Sequence, residues 1–183
     1  YGAVSPHNTL HEADAALSVG LALRDLLEPH MSVVMTRDAD VFIPLAERSR
    51  IANKAECDAF LSIHFNSAIN RDAHGWEVFS TGSSKGLRLA QCVGSRHAET
   101  FPEQRARGLK TATFSVLRKT TMPAILWEGG FVSNKEEAEW VGKPDIQKQM
   151  AQALSLGIID YFGLGEALTL EDRVVRIENY LGI

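Results

Sequence analysis

Cysteine is scarce: Cys57 and Cys92 are the only two in 183 residues. Their spacing gives no disulfide framework, zinc ribbon or Cys-x-x-Cys redox pair. Both read as plain buried or half-buried thiols. No apolar run approaches the roughly 18 residues that a membrane span requires. Positive charge is not in excess either. The formal net charge is -4, so there is no general basic field for nucleic acid. Internal repeats and low-complexity tracts are missing, which excludes a solenoid or a disordered tail as the main architecture. The first residue is Tyr1 rather than Met, as expected of a fragment or processed product, so the lack of a leader says nothing about compartment.

What is present is ordinary globular composition, 45% hydrophobic and 23% charged, at a length that suits one domain with a core of normal size. After a punctuated opening loop, a helix is expected over 12–28, with Ala16, Val19, Leu23 and Leu26 on one stripe and Pro29 ending it. Strands are expected over 32–36, 58–63, 75–80, 113–117 and 123–127. Helices are expected over 44–55, with Pro44 near its first turn, and over 84–99 and 145–161. Ser133 and Glu136 form an S-x-x-E capping box that opens a further helix. Short strands that are apolar on both sides, alternating with helices, predict an α/β fold: a mostly parallel twisted sheet with helices on both faces. Such sheets place their sites at the carboxyl ends of strands.

Three polar residues end or follow apolar runs, or begin a helix: Glu12, His64 and Glu128. Taken singly, His64 also reads as a satisfied core histidine, and Glu12 as a carboxylate favoured by a helix dipole. Glu128 follows Ala-Ile-Leu-Trp, where a carboxylate is costly unless paired, protonated or metal-bound. A catalytic zinc site needs three ligands of the His, Asp or Glu type and an open position for water. A separate carboxylate must then take the water's proton and deliver it to the leaving nitrogen. Glu12 and His64 suit the ligand role and Glu128 the base. A further acceptor should orient the imidazole of His64.

Several stretches, in order, carry a resemblance. They are Gly2-Ala3-Val4 with Glu12 downstream, Val34 to Asp38, Arg48 to Asn53, and Ser62-Ile63-His64-Phe65-Asn66. Gly75-Trp76-Glu77-Val78, Arg107-Gly108-Leu109-Lys110, and Met122-Pro123 through Asn134 follow. Over 1–162 the chain resembles the zinc-dependent N-acetylmuramoyl-L-alanine amidases of bacteria and their phages. The resemblance implies Zn2+ as cofactor, Glu12 and His64 as metal ligands, and Glu128 as the catalytic carboxylate. It implies peptidoglycan as substrate, cut at the amide joining the lactyl group of N-acetylmuramic acid to L-alanine of the stem peptide. Asn66 would line the site, and Arg48 and Asn53 would brace the loop and helix beneath it. Arg107 and Lys110 are candidates for substrate carboxylates, the alternative being a solvated basic loop.

The family's first ligand, a His in a Gly-His-Gly-Gly motif, is expected upstream of Tyr1; His7 and His11 do not occupy its place. His74 and His97 read as surface residues. The segments 66–75 and 80–87 are short, so no helical insertion blocks the site, which resembles endolysin or sporulation-type members. The domain reading is a catalytic domain over 1–163, lacking its first strand, then a linker and helix over 164–183. In that helix Leu170, Val174, Ile177 and Leu181 share one side, either packing on the domain or mediating self-association. The substrate implies a secreted, periplasmic or cell-wall location. Two other functions stay open: a zinc carboxypeptidase acting within the stem peptide, and a metal-free wall-binding or regulatory homologue.

Overall fold

Runs that are apolar on both sides can hide both faces only inside a covered sheet. The computed structural model describes residues 2–164 and shows such a sheet, built from β1 (Phe60–Asn66), β2 (Trp76–Ser80), β3 (Ala106–Thr111) and β4 (Ala124–Phe131). The helices are α1 (Glu12–Leu27), α2 (Leu45–Lys54), α3 (Ser84–Thr100), α4 (Ser115–Arg118), α5 (Lys135–Val141) and α6 (Pro144–Phe162). The spatial strand order is β1-β4-β2-β3. β1 is parallel to β4 and β2 to β3, while β2 and β4 are antiparallel. The expected mixed α/β architecture with a mostly parallel sheet is therefore present. No helix among the described residues is long and apolar enough to cross a membrane.

Side chains alternate across a strand, and β4 divides its apolar residues accordingly. Ile125 and Trp127 enter a large core shared with Val19 and Leu23 of α1, Leu89 and Val93 of α3, and Met150 and Leu154 of α6. Ala124 and Leu126 face a smaller core with Ala52 of α2, Phe60 of β1, and Val116 and Leu117 of α4. The same alternation puts His64 on the face of Phe60, and Glu77 on the face of Phe79, which also packs against the smaller core. His64, Glu77 and Glu128 thus share one face of the sheet, by alternation and by cross-strand register.

Several expectations are corrected. Residues 113–117 form no strand: 115–118 make the single turn α4, docked by Val116 and Leu117 on the smaller core. Residues 32–36 form no strand and join no ladder. They line a cavity of about 530 Å³ together with residues of β1, α1 and α2, and among the described residues no strand pairs with them. Residues 106–111 form β3, so the alternative of a solvated basic loop for Arg107 and Lys110 gives way to an edge strand. Pro44 is the N-cap of α2 rather than a first-turn residue. The cap of α5 is Asn134, whose side chain accepts from the Glu137 N–H, one residue later than the expected Ser133–Glu136 pair. Ser133 Oγ instead accepts from the Ala68 N–H. His97 is not a surface residue: it is fully buried, with its ring 5.0 Å from those of Trp76 and Phe101 and 5.4 Å from that of Trp127. His74 is exposed, as expected, and Cys57 and Cys92 are half-buried free thiols. The proposed linker and helix over 164–183 lie, but for residue 164, outside the described residues.

Candidate active site

Glu12 opens α1, where a carboxylate is favoured by the exposed N–H groups and the helix dipole. The preceding segment folds back on it. The Ala3 N–H donates to Glu12 Oε2 at 2.8 Å, and the Glu12 N–H donates to the Ala3 carbonyl at 2.9 Å. A Cβ on Gly2 would lie 2.8 Å from Oε2, so this approach needs glycine. The other oxygen, Oε1, meets His64 Nδ1 at 2.8 Å and the Phe65 N–H at 3.4 Å. Burial pushes the Glu12 carboxyl up, but the His64 hydrogen bond, then the Ala3 N–H and the imidazole's charge, outweigh it and leave it below its ordinary value. An ionised carboxylate only accepts, so Nδ1 is the donor. The other ring nitrogen, Nε2, is hydrogen-bonded with Ser62 Oγ at 2.9 Å. Ser62 is the group that orients the ring. It lies two residues earlier on the same strand and therefore on the same face.

Glu128 stands opposite His64 in the β1–β4 register and opposite Glu77 in the β2–β4 register. Its Oε2 is buried without a hydrogen-bond partner. Burial first, then the charges of Glu12 and Glu77, push its carboxyl up to about 9. Glu77 is also buried, but it is fully engaged. Asn66 Nδ2 donates to Oε1 at 2.7 Å, Arg107 Nε donates to Oε2 at 2.8 Å, and Lys110 Nζ pairs with Oε2. Burial would raise Glu77 too, yet the bonds and charges of Lys110 and Arg107 hold it below its ordinary value. Arg107 also lies over the Phe131 ring, 4.9 Å from its centroid.

The predicted site residues therefore form two neighbouring groups. Glu12 and His64 are in direct contact. Asn66, Arg107 and Lys110 converge on Glu77, a residue without an assigned role in the sequence reading. Its signal was a carboxylate inside the apolar run Trp76–Ser80, the same anomaly that drew attention to Glu128. Asn53 braces the loop before β4, as expected: Nδ2 donates to the Lys119 carbonyl at 2.8 Å and Oδ1 accepts from the Thr121 N–H at 3.0 Å. Arg48 holds the loop before α2 through its Nε and the Ile43 carbonyl. No blocking helix intervenes between β1 and β2 or between β2 and α3.

Residues 1–160 match the family model of the N-acetylmuramoyl-L-alanine amidases. The chain belongs to that family. Among solved structures, the N-acetylmuramoyl-L-alanine amidase AmiC2 of Nostoc punctiforme is similar at 37% identity and a TM-score of 0.84, covering 88% of this chain and 89% of that one. The catalytic domain of CwlV, an amidase from Bacillus (Paenibacillus) polymyxa, has 31% identity and a TM-score of 0.84, covering 88% and 90%. An endolysin of Bacillus phage SPP1 is 33% identical over 181 residues, 91% of this chain and 65% of that protein. The amidase CwlM of Bacillus licheniformis is 34% identical over 164 residues, 87% and 63%. The chain thus spans somewhat less than two thirds of the length of these two curated relatives.

The site's donors suit zinc. An imidazole nitrogen and a carboxylate oxygen meet, and a second carboxylate with an unpartnered buried oxygen stands on the neighbouring strand. Among the described residues no group of three or more His, Cys, Asp or Glu side chains is placed to hold a metal ion. The Glu12–His64 pair by itself falls short of the three protein ligands that a catalytic zinc site needs.

Proposed function

We propose that this amidase-family protein hydrolyses the amide between N-acetylmuramic acid and L-alanine of the peptidoglycan stem peptide, with Zn2+ held in part by Glu12 and His64. The observation that carries this reading is Glu128: a half-buried carboxyl whose buried Oε2 has no hydrogen-bond partner, one strand away from a His–Glu pair. The bound metal would supply a Lewis acid and bring a water near neutral acidity. Glu12 and His64 would hold the metal through the carboxylate and the imidazole, both of which bind it in their deprotonated forms. Glu128, in its ionised form, takes the proton of the attacking water and passes it to the departing amide nitrogen, whose release as an amine requires it. Ser62 fixes the imidazole against rotation. Arg107 and Lys110, anchored by Glu77 beside Glu128, present cationic groups to the carboxylates of the stem peptide, and Asn66 lines the same wall. The substrate places the protein outside the cytoplasmic membrane, in the periplasm or at the cell wall.

The test is incubation of the full-length protein with purified peptidoglycan, with bound zinc measured in the same sample. Stem peptides with a new L-alanine amino terminus, lost on chelation and restored by zinc, are the expected products. Release of C-terminal D-alanine instead would make it a carboxypeptidase. Wall binding with neither product nor zinc would make it a non-catalytic homologue.

A further inference from the structure

The β1–β4 ladder is regular up to the His64–Glu128 pair and then slips. The next partners are Asn66 and Phe131, so Phe65 alone stands opposite Gly129 and Gly130. On the other edge of β4, the pairing with β2 ends at Glu77–Glu128. A bulge of this kind bends its strand and re-aims the adjoining side chain, and it leaves backbone groups in need of partners. Here those partners come from outside the sheet. Gln104 Nε2 donates to the Gly129 carbonyl at 2.9 Å, and Glu137 Oε2 accepts from the Phe131 N–H at 2.7 Å. The two side chains are joined, Gln104 Nε2 to Glu137 Oε1 at 2.9 Å. The same Oε1 accepts from the Gly75 N–H, also at 2.9 Å, which ties the bulge to the entry of β2 and hence to Glu77. Behind Gln104, its Oε1 accepts from His97 Nε2 at 2.7 Å, and His97 is wedged among Trp76, Phe101 and Trp127.

The two bulge residues meet what the position demands. A Cβ on Gly129 would come within 2.2 Å of the Trp127 ring, and Gly130 has φ 154°, a region that L side chains rarely adopt. Glu137 is buried in the first turn of α5, where its own N–H is satisfied by Asn134. A buried carboxylate accepting two backbone N–H groups and a side-chain amide is stabilising only while all three remain in place.

We propose that Glu137, with Gln104 as its bridge to the core histidine His97, is a positioning residue that holds the Gly129–Gly130 bulge and thereby aims Glu128 at the reacting bond. The role rests on the amidase reading of Glu128. It assigns Glu137 no contact with substrate. Its action runs through the backbone that follows Glu128.

The experiment compares wild type with Glu137→Gln and Gln104→Leu, measuring kcat and KM per bound metal on a soluble muropeptide, and amide hydrogen exchange over 124–134. In Glu137→Gln an amide NH2 replaces one acceptor and faces a backbone donor. The expected result is a kcat lower by about 10–100-fold with KM within about threefold, the signature of a misaimed group rather than lost binding. Exchange at 129–131 should rise about tenfold while the rest of β4 stays protected. A merely structural role would lower the melting temperature and leave kcat per folded, metal-loaded site unchanged. A kcat within about twofold of wild type, or a loss carried by KM, overturns the proposal. If Glu137→Gln does not fold, Gln104→Leu decides, with an expected fall in kcat of about 3–10-fold and the same overturning result. If wild type releases no product, the amidase reading fails separately. The bulge-holding role then stands or falls on exchange alone, unchanged protection of 129–131 overturning it.

Discussion

Three carboxylates face one end of the sheet, and their partners decide their states. Glu12 has His64 and the Ala3 N–H, and Glu77 has Asn66, Arg107 and Lys110. Both stay ionised in spite of burial. Glu128 has no partner on Oε2 and two like charges beside it. Separating the protonation states of neighbouring groups by environment is how one site can hold both an anchor and a proton carrier. Glu128→Gln removes the carrier and keeps the shape. Bound zinc is expected to be unchanged and kcat lower by about two to four orders of magnitude. Turnover near wild type, with metal measured alongside, would take Glu128 out of the mechanism. Arg107 makes a second residue-level case. Removing it leaves the buried Glu77 carboxylate short of a cation, so Arg107→Leu should cost about 1–3 kcal/mol. Most of that cost should vanish in a Glu77→Gln background, where no charge is left to compensate. A double-mutant cycle by chemical denaturation gives the coupling, and additive costs would mean that Arg107 acts elsewhere.

The elements that were legible in the sequence are those whose physics is local and apolar. β1, β2 and β4 are short runs with buried residues on both faces, and α1, α2, α3 and α6 carry helical periodicity with recognisable ends. Glu12, His64 and Glu128 could be singled out because polar groups interrupt those patterns. What was hidden depends on partners far away in the chain. β3 is a polar edge strand, Ala-Arg-Gly-Leu-Lys-Thr, and only its pairing with β2 makes it a strand. Residues 32–36 have strand composition but, among the described residues, no strand to pair with, and composition cannot supply one. Gln104 and Glu137 look like surface residues until the bulge after Glu128 gives them backbone groups to satisfy. The bulge itself is an element-level device, and Gly129 tests it. Gly129→Ala drives a methyl into the buried Trp127 ring. This overpacking should cost about 1–3 kcal/mol, read as a lower denaturant midpoint at unchanged slope. An unshifted midpoint would show that β4 can turn its end without strain.

At the scale of the whole molecule, the buried titratable groups shape stability against pH from both sides. His97 is held neutral by burial, its value lowered from 6.5 to about 4 in the fold. Between those values the unfolded chain binds a proton that the native state does not, so stability is lost as pH falls from about 6.5 toward 4. The ionised pairs of Glu12 and Glu77, both held below 4.5, add to the loss as pH drops under that value. Glu128 acts in the opposite direction. Its value rises from 4.5 unfolded to about 9 folded, so the native state binds the extra proton and stability declines as pH rises through that window. Between 4.5 and 6.5 the slopes from His97 and Glu128 oppose each other. Above 6.5 only the Glu128 decline remains of the two. The metal-free protein should therefore be most stable near pH 5–6 and lose stability toward pH 9, against the usual broad plateau. At pH 7.5 the Glu128 contribution is a penalty on the order of 2–4 kcal/mol. Glu128→Gln abolishes the titration, so in chelated protein it should raise the melting temperature at pH 7.5 by several degrees and leave it nearly unchanged at pH 4.5. The variant that destroys activity would then be the more stable protein, as expected when a functional group is buried at the expense of the fold. Melting curves of both proteins from pH 4.5 to 9 in chelator decide it. Parallel curves would mean that Glu128 is already ionised in the metal-free fold.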